Sequence, residues 1–392
     1  MTEAVQKVDV AIVGGGMVGA ALASGLAQHG FQVAVLEQDI LPEFDPASPP
    51  DVRVSALGAA SVAQLKQLDV WPAVEAMRCA PYRRLETWEW QTAQVGFDAQ
   101  SLGLPELGYM VENVVLQRAL WQKLQQQPVE LIAPARLQHL QAVDDGWQLT
   151  LEQGQMLRAR LVVGADGANS RVRQLAGIGI RGWGYAQSCM LITVRCEQDV
   201  GDATWQQFTP QGPRAFLPLF DDWASLVWYD SPARIRQLQA MSMPQLQKEI
   251  AAHFPSRLGQ VTPVAAGSFP LVRRHAIDYV KPGLALVGDA AHTINPLAGQ
   301  GVNLGYRDVD ALINVLSEAR QCAENWADES VLLRYQRQRQ KDNLLMQSGM
   351  DLFYFAFSNA LPPLKFVRNL GLMAAERSGV LKRQALRYAL GL

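Results

Sequence analysis

The sequence predicts a mixed α/β (α+β) fold: a parallel sheet flanked by helices, with an inserted β-rich layer and a helical C-terminal region. Three tracts predict it. Each is an apolar run that breaks into a glycine-bearing turn: one at the N-terminus, one near residue 165 and one near residue 289.

The first tract, VDVAIVGGGMVGAALASGLAQHGFQVAVLEQ at 8–38, reads as apolar strand, glycine turn, small-residue helix and second apolar strand, which is one βαβ unit. Gly14, Gly16 and Gly19 form a G-x-G-x-x-G pattern. The first allows the tight turn, the second lets backbone approach a pyrophosphate, and the third lets helix pack on strand. Glu37 ends the second strand, where a carboxylate accepts adenosine ribose hydroxyls. This is a Rossmann-like adenine dinucleotide site, and an acid at 37 disfavours a ribose phosphate. FAD or NAD is therefore expected rather than NADP.

LPEFDPASPPD at 41–51 follows as a Pro-rich loop. The middle tract, LVVGADGANSRVRQLAG at 161–177, is another apolar strand running into Asp166 and Gly167. Taken alone, an Asp-Gly pair is an ordinary turn. In the third tract, LALVGDAAH leads through PLAGQG to NLGYRDVDALINVL, whose apolar residues recur at helical spacing. It reads as strand, turn, loop and helix. A helix start preceded by glycines presents unpaired N–H groups and positive dipole character, which suits a phosphate or an electron-rich ring. The plain alternative is that Gly288 and Asp289 make a common turn and the later glycines only ease packing.

Together the three motifs settle more than any one of them. G-x-G-x-x-G, then G-A-D-G-x-x-S-x-x-R, then G-D-A-A-H-x-x-x-P-x-x-G-x-G-x-N resembles the single-component FAD aromatic hydroxylases, the para-hydroxybenzoate hydroxylase group. DVRVSAL at 51–57, YMVENVVLQRAL at 109–120 and the tail from 346 look like the subgroup of bacterial ubiquinone-biosynthesis hydroxylases.

That resemblance implies FAD as cofactor, NAD(P)H as electron donor, molecular oxygen as co-substrate and a polyprenyl quinol as substrate. It implies that Gly14, Gly16 and Gly19 meet the FAD pyrophosphate and that Glu37 meets the ribose. Arg53 would reach toward the pyrophosphate and flavin side, and Gln117 would touch the ribityl or ribose region. Asp166, with Gly167, is the acid shared across the family, and Gly288 with Asp289 would hold the ribityl chain. Pro296, Gly299, Gly301 and Asn303 would line the flavin ring. Gln38 stands where many relatives carry a basic residue.

Molecular oxygen is spin-forbidden to attack a closed-shell aromatic, so the cofactor does the hard step and the protein supplies orientation and dryness. A flavin hydroperoxide would present an electrophilic oxygen to the quinol ring. Backbone amides from Pro296 through Gly299 to Gly301 would stabilise negative charge on reduced flavin, and they are the catalytic candidates. No metal site is expected. NAD(P)H would bind transiently, since no second nucleotide fold is evident, or a separate reductase would serve.

Other chemistry-bearing residues read as structure. His292 fits a turn residue, and Arg273, Arg274 and His275 a solvated face. Trp205, Phe208, Phe216, Trp223, Trp228 and Tyr229 fit the core of the inserted sheet, with one or two of them at the quinol ring. Cys79, Cys189, Cys196 and Cys322 show no CxxC and suit reduced thiols.

The cofactor domain is expected to be discontinuous, over 1–75, 105–180 and 270–330. The β-rich substrate domain takes 76–104 and 181–269, and 331–392 is helical. The chain has 392 residues, 49% of them hydrophobic, and a net charge of −2, which supports a large core and disfavours a nucleic-acid binder. No secretion signal or membrane-spanning run is visible, so a cytoplasmic location is expected.

After residue 360, Lys365, Arg368, Arg377, Lys382, Arg383 and Arg387 face only Glu376. Two readings stay open for this helix. It meets an anionic membrane surface or other ubiquinone-biosynthesis proteins, or it packs on its own protein with its charges in solvent. Function likewise has rivals. Another FAD enzyme, such as a polyprenyl reductase, or a non-catalytic flavoprotein scaffold fits the same motifs; a flavin halogenase is disfavoured because WEWQTA at 88–93 lacks the second half of W-x-W-x-I-P.

Overall fold

A computed structural model describes residues 5–294, 300–357 and 362–392. The first strand, Gln6–Val13, is apolar on both faces from Val10 onward, as a central parallel strand must be. It pairs in parallel with Val33–Leu36 on one side and Met156–Gly164 on the other. The parallel order is completed by Val129–Ile132 beyond Val33–Leu36 and Leu284–Leu286 beyond Met156–Gly164. An antiparallel hairpin, Leu137–Val143 with Gly146–Leu151, lies against Met156–Gly164.

Helix Met17–Gln28 is built from small residues, which lets its neighbours come close. A Cβ on Gly25 would sit 2.2 Å from Ile313 Cδ1, on helix Gln300–Gln321. The first and third motif tracts are therefore packed helix on helix. The core between them is aliphatic, from Ile12 and Leu22 through Leu312 and Leu316.

The second sheet is the β layer. Its order runs His292–Thr293, Val261–Ala276, Ile180–Cys196, Trp223–Asp230, Arg214–Pro218, Ala203–Gln207, Arg84–Trp88 and Gln94–Asp98. One face packs Met190, Ile192, Val194, Trp205, Phe216 and Trp228 against helices Pro232–Gln239 and Met243–His253. Of the aromatics expected here as core, Trp205, Phe208, Phe216, Trp228 and Tyr229 are buried and Trp223 is half-buried.

Two features differ from the expected boundaries. Strand Ala80–Tyr82 pairs with Gly108–Glu112 in a small third sheet with Val54–Gly58, because its Ala80 and Tyr82 pack with Leu107 and Met110. Strand Val261–Ala276 runs through position 269 without a break, and His292–Thr293 adds to its far end. The third motif tract thus contributes to both large sheets.

The C-terminal region is helical over Glu329–Phe357, Pro362–Arg377 and Val380–Leu390. Among the described residues, no helix is long and apolar enough to cross a membrane.

Candidate cofactor and substrate site

Register places the motifs at one edge. Val13 pairs with Leu36 and with Gly164, and Gly164 pairs with Leu286, so four parallel strands end at the same level. Gly14, Glu37, Asp166 and the Gly288–Asp289 turn follow directly. In open α/β sheets, ligands bind outside the carboxyl ends of the strands.

The glycines divide into two kinds. Gly14 has φ +106°, and a Cβ there would lie 2.4 Å from the Ala165 carbonyl oxygen. On Gly19 it would lie 1.9 Å from the Gly14 oxygen. Both are glycine because backbone meets backbone. Gly16, Gly167 and Gly301, by contrast, have nothing among the described residues within 4 Å of a Cβ. Their open side is a cradle that a close-lying ligand can occupy.

Around this loop the side chains are already ordered. Glu37 Oε2 accepts the Gly15 N–H at 2.7 Å, and Oε1 accepts that of Asp39 at 3.1 Å. Gln117 Nε2 and Trp121 Nε1 both donate to the Gly15 oxygen, at 3.0 and 2.7 Å. Gln117 therefore braces the loop.

Asp166 Oδ2 takes the N–H groups of Arg171 and Val172, at 2.6 and 3.1 Å, while its Oδ1 is buried with no partner among the described residues. An orphaned buried carboxylate oxygen is costly unless a ligand or water completes it. Asp289 is solvent-accessible, yet surrounding protein raises its carboxyl above the ordinary range, with the charges of His292 and Arg53 opposing the shift. The exposed Arg53 thus bears on the same spot as Asp289. The β layer closes over the loop carrying it, since a Cβ on Gly267 would rest 3.5 Å from Val52.

The Asn303 side chain braces the structure beneath the site. Its Oδ1 accepts from the Gly58 N–H at 2.9 Å and the Ser61 hydroxyl at 2.7 Å, and its Nδ2 donates to the Ala56 oxygen. It ties the helix start to the small sheet. Pro296 and Gly299 lie outside the described residues. Gly301 sits in the first turn of helix Gln300–Gln321.

A buried polar cluster behind the site was missed in the sequence. Asp308 accepts from the Gly288 N–H at 3.0 Å, pairs with His292 Nε2, and takes Arg339 Nε at 2.8 Å and Asn343 Nδ2 at 3.2 Å. Burial alone would raise the Asp308 carboxyl, but His292 and Arg339 prevail and hold it at about 2. The Gly288–Asp289 turn is thereby anchored to helix Glu329–Phe357. One signal for it was present: Asp308 falls at helical spacing from Leu304 and Leu312, on the buried side of its helix.

The Arg273, Arg274 and His275 cluster is not a solvated face. Arg273 pairs with Asp351 at 2.6 Å, and Arg274 NH1 bonds the Ala168 oxygen and Asn169 Oδ1. His275 is buried, and burial, helped by His292 and Arg273, lowers its pKa to about 4. Strand pairing with His292–Thr293 draws these residues inward.

Comparison with known proteins gives concordant findings. A family model described as FAD binding domain matches residues 7–343. The chain is 71% identical over 388 residues to the 3-demethoxyubiquinol 3-hydroxylase of Escherichia coli (strain K12), covering 99% of both. It is 39% identical over 385 residues to the ubiquinone hydroxylase UbiL of Rhodospirillum rubrum, covering 98% of this chain and 89% of that one. Among solved structures, p-nitrophenol 4-monooxygenase PnpA from Pseudomonas putida DLL-E4 superposes with a TM-score of 0.81 at 19% identity, covering 98% of each chain, a likeness of fold.

Proposed function

We infer the activity from one premise: the chain belongs to the FAD binding domain family and, within it, to the ubiquinone hydroxylases. It is an FAD-dependent monooxygenase that hydroxylates the ring of a polyprenyl benzoquinol in ubiquinone biosynthesis. The substrate is of the 2-octaprenyl-3-methyl-6-methoxy-1,4-benzoquinol type. The structural observation that carries this reading is the meeting of three motif turns at one sheet edge, under a β layer.

We propose these roles for the chain's own groups. The Gly14–Gly19 turn and the start of helix Met17–Gln28 hold the pyrophosphate through N–H groups and the helix dipole. Glu37 takes the adenosine ribose, and Asp289 takes a ribityl hydroxyl while Arg53 balances its charge. Gln117 reaches the cofactor through the loop that it braces. Asp166 Oδ1, lacking a partner among the described residues, is available to accept from cofactor or water. Backbone N–H groups between Pro296 and Gly301, those of Gly299 and Gly301 among them, stabilise negative charge at the ring.

FAD bound there supplies the activation of oxygen that no side chain can perform. The protein orients the quinol, keeps water away beneath the β layer and lets NAD(P)H bind transiently as donor. The turns that hold the cofactor lie within 1–75, 105–180 and 270–330, and the strands of the second sheet, from Arg84–Trp88 to Val261–Ala276, roof it. The prenyl tail confines the substrate to a lipid phase, so the protein works beside a membrane surface or with other proteins of the pathway.

Mass spectrometry of quinones from cells lacking this protein tests the reading. Accumulation of an intermediate short of one ring hydroxyl is expected. An unchanged quinone pool would refute it.

A further inference from the structure

Helix Pro362–Arg377 is amphipathic in the reverse of the usual sense. Its inner side carries Arg368 and Asn369, both buried, beside Leu372. Arg368 Nε donates to Glu89 Oε2 at 2.7 Å, Asn369 Nδ2 reaches the same oxygen, and Arg368 NH1 caps the Ala356 carbonyl at 2.8 Å. Its outer side carries Phe366, Val367 and Leu370, which are 60%, 63% and 55% exposed. Positions 366, 367, 370, 374 and 377 share one helical stripe, so Ala374 continues this face and Arg377 ends it.

The neighbouring helices extend the pattern. Val380 and Leu381 on helix Val380–Leu390 are exposed, as are Leu352 and Phe355 on helix Glu329–Phe357. Scattered exposed apolar residues are ordinary, but a stripe that displaces a helix's polar residues inward calls for a cover. The charges say which cover fits. Arg377, Arg383 and Arg387 are exposed and form no ion pair among the described residues, and the single acid after residue 360, Glu376, is paired with Lys382 at 2.7 Å.

We propose that the outer face of helices Pro362–Arg377 and Val380–Leu390 docks in the plane of an anionic lipid bilayer. Phe366, Val367, Leu370, Val380 and Leu381 enter the acyl boundary, and Arg377, Arg383 and Arg387 meet the headgroups. Apolar burial and headgroup attraction then act together, as in interfacial helices. The face lies on rather than across the membrane, since no described helix can span one. The inference rests on the polyprenyl-quinol reading for its purpose, because the docked protein draws its substrate from the lipid phase; the face itself is argued from burial and charge.

The test uses the full-length protein with bound flavin, floated with phosphatidylcholine vesicles with and without phosphatidylglycerol. Binding to the anionic vesicles is expected, weakening as salt is raised. Phe366→Ser combined with Val367→Ser and Leu370→Ser is expected to lower the bound fraction about tenfold or more, as is Arg383→Glu with Arg387→Glu. Both variants should keep wild-type flavin content, melting temperature and turnover of a short-tailed, water-soluble quinol.

Absence of vesicle binding would overturn the proposal, as would equal binding to neutral and anionic vesicles, or variants that bind like wild type. So would a wild-type dimer that the apolar variant makes monomeric while vesicles bind neither, which would assign the face to a second copy of the chain. Failure of the wild type to turn over the short-tailed quinol while vesicle binding holds would refute the activity and leave this face intact.

Discussion

Gly16 and Gly19 stand three residues apart in one motif and have opposite reasons for being glycine. A Cβ at 19 would drive into the Gly14 oxygen, whereas at 16 it would point into open space. Gly19→Val is therefore expected to fail to fold. Gly16→Val should fold with an unchanged apoprotein melting temperature and take up no FAD, read by flavin absorbance after gel filtration. Normal flavin loading would remove the pyrophosphate from that loop. Asp289→Ala is expected to weaken FAD binding by on the order of 1.5–3 kcal/mol, since a charge-assisted bond is lost. Fluorescence titration of apoprotein with FAD measures it, and unchanged affinity would displace the ribityl assignment. His275 sets a pH window. Its folded pKa of about 4 lies below its ordinary 6.5, so the unfolded chain takes up its proton first as pH falls. The stability it contributes is whole above pH 6.5 and lost progressively toward pH 4. Melting temperatures across that range should fall in the wild type and fall less steeply in His275→Gln.

At the scale of elements, the sequence made the three turn tracts legible because each is a contiguous run whose period and glycines can be read locally. The polar clusters were not legible. Asp308 meets Arg339 from 31 positions away, and Glu89 meets Arg368 from 279 away, so only the fold brings these charges together. For the same reason Arg368 looked like part of a solvated basic face, when it is the buried anchor of its helix. The pairing of the short strand Ala80–Tyr82 with Gly108–Glu112 was not legible, because three residues carry too little pattern to name a partner. Glu89→Ala is expected to remove the buried carboxylate that Arg368 pairs with, costing about 3–5 kcal/mol locally. Hydrogen exchange should show faster exchange across helix Pro362–Arg377 while the first parallel sheet keeps its protection. Uniform loss across the molecule would show instead that the pair supports the whole fold.

Seen as a whole molecule, helix Glu329–Phe357 joins the two halves of the site. Arg339 and Asn343 hold the Gly288 turn through Asp308, and Asp351 takes Tyr185 and Arg273 from the β layer. One helix thus registers the roof against the sheet edge proposed to hold the cofactor, which is what oxygen transfer between a fixed cofactor and a fixed ring requires. This assembly moves one atom of molecular oxygen onto a quinol ring. The most direct test supplies the purified flavin-loaded protein with NAD(P)H, a short-tailed 3-demethoxyubiquinol and oxygen-18 gas, and weighs the product. One heavy oxygen in a new ring hydroxyl is the predicted result. A product carrying oxygen from water, or no hydroxylated product despite bound flavin and a competent electron donor, would contradict it.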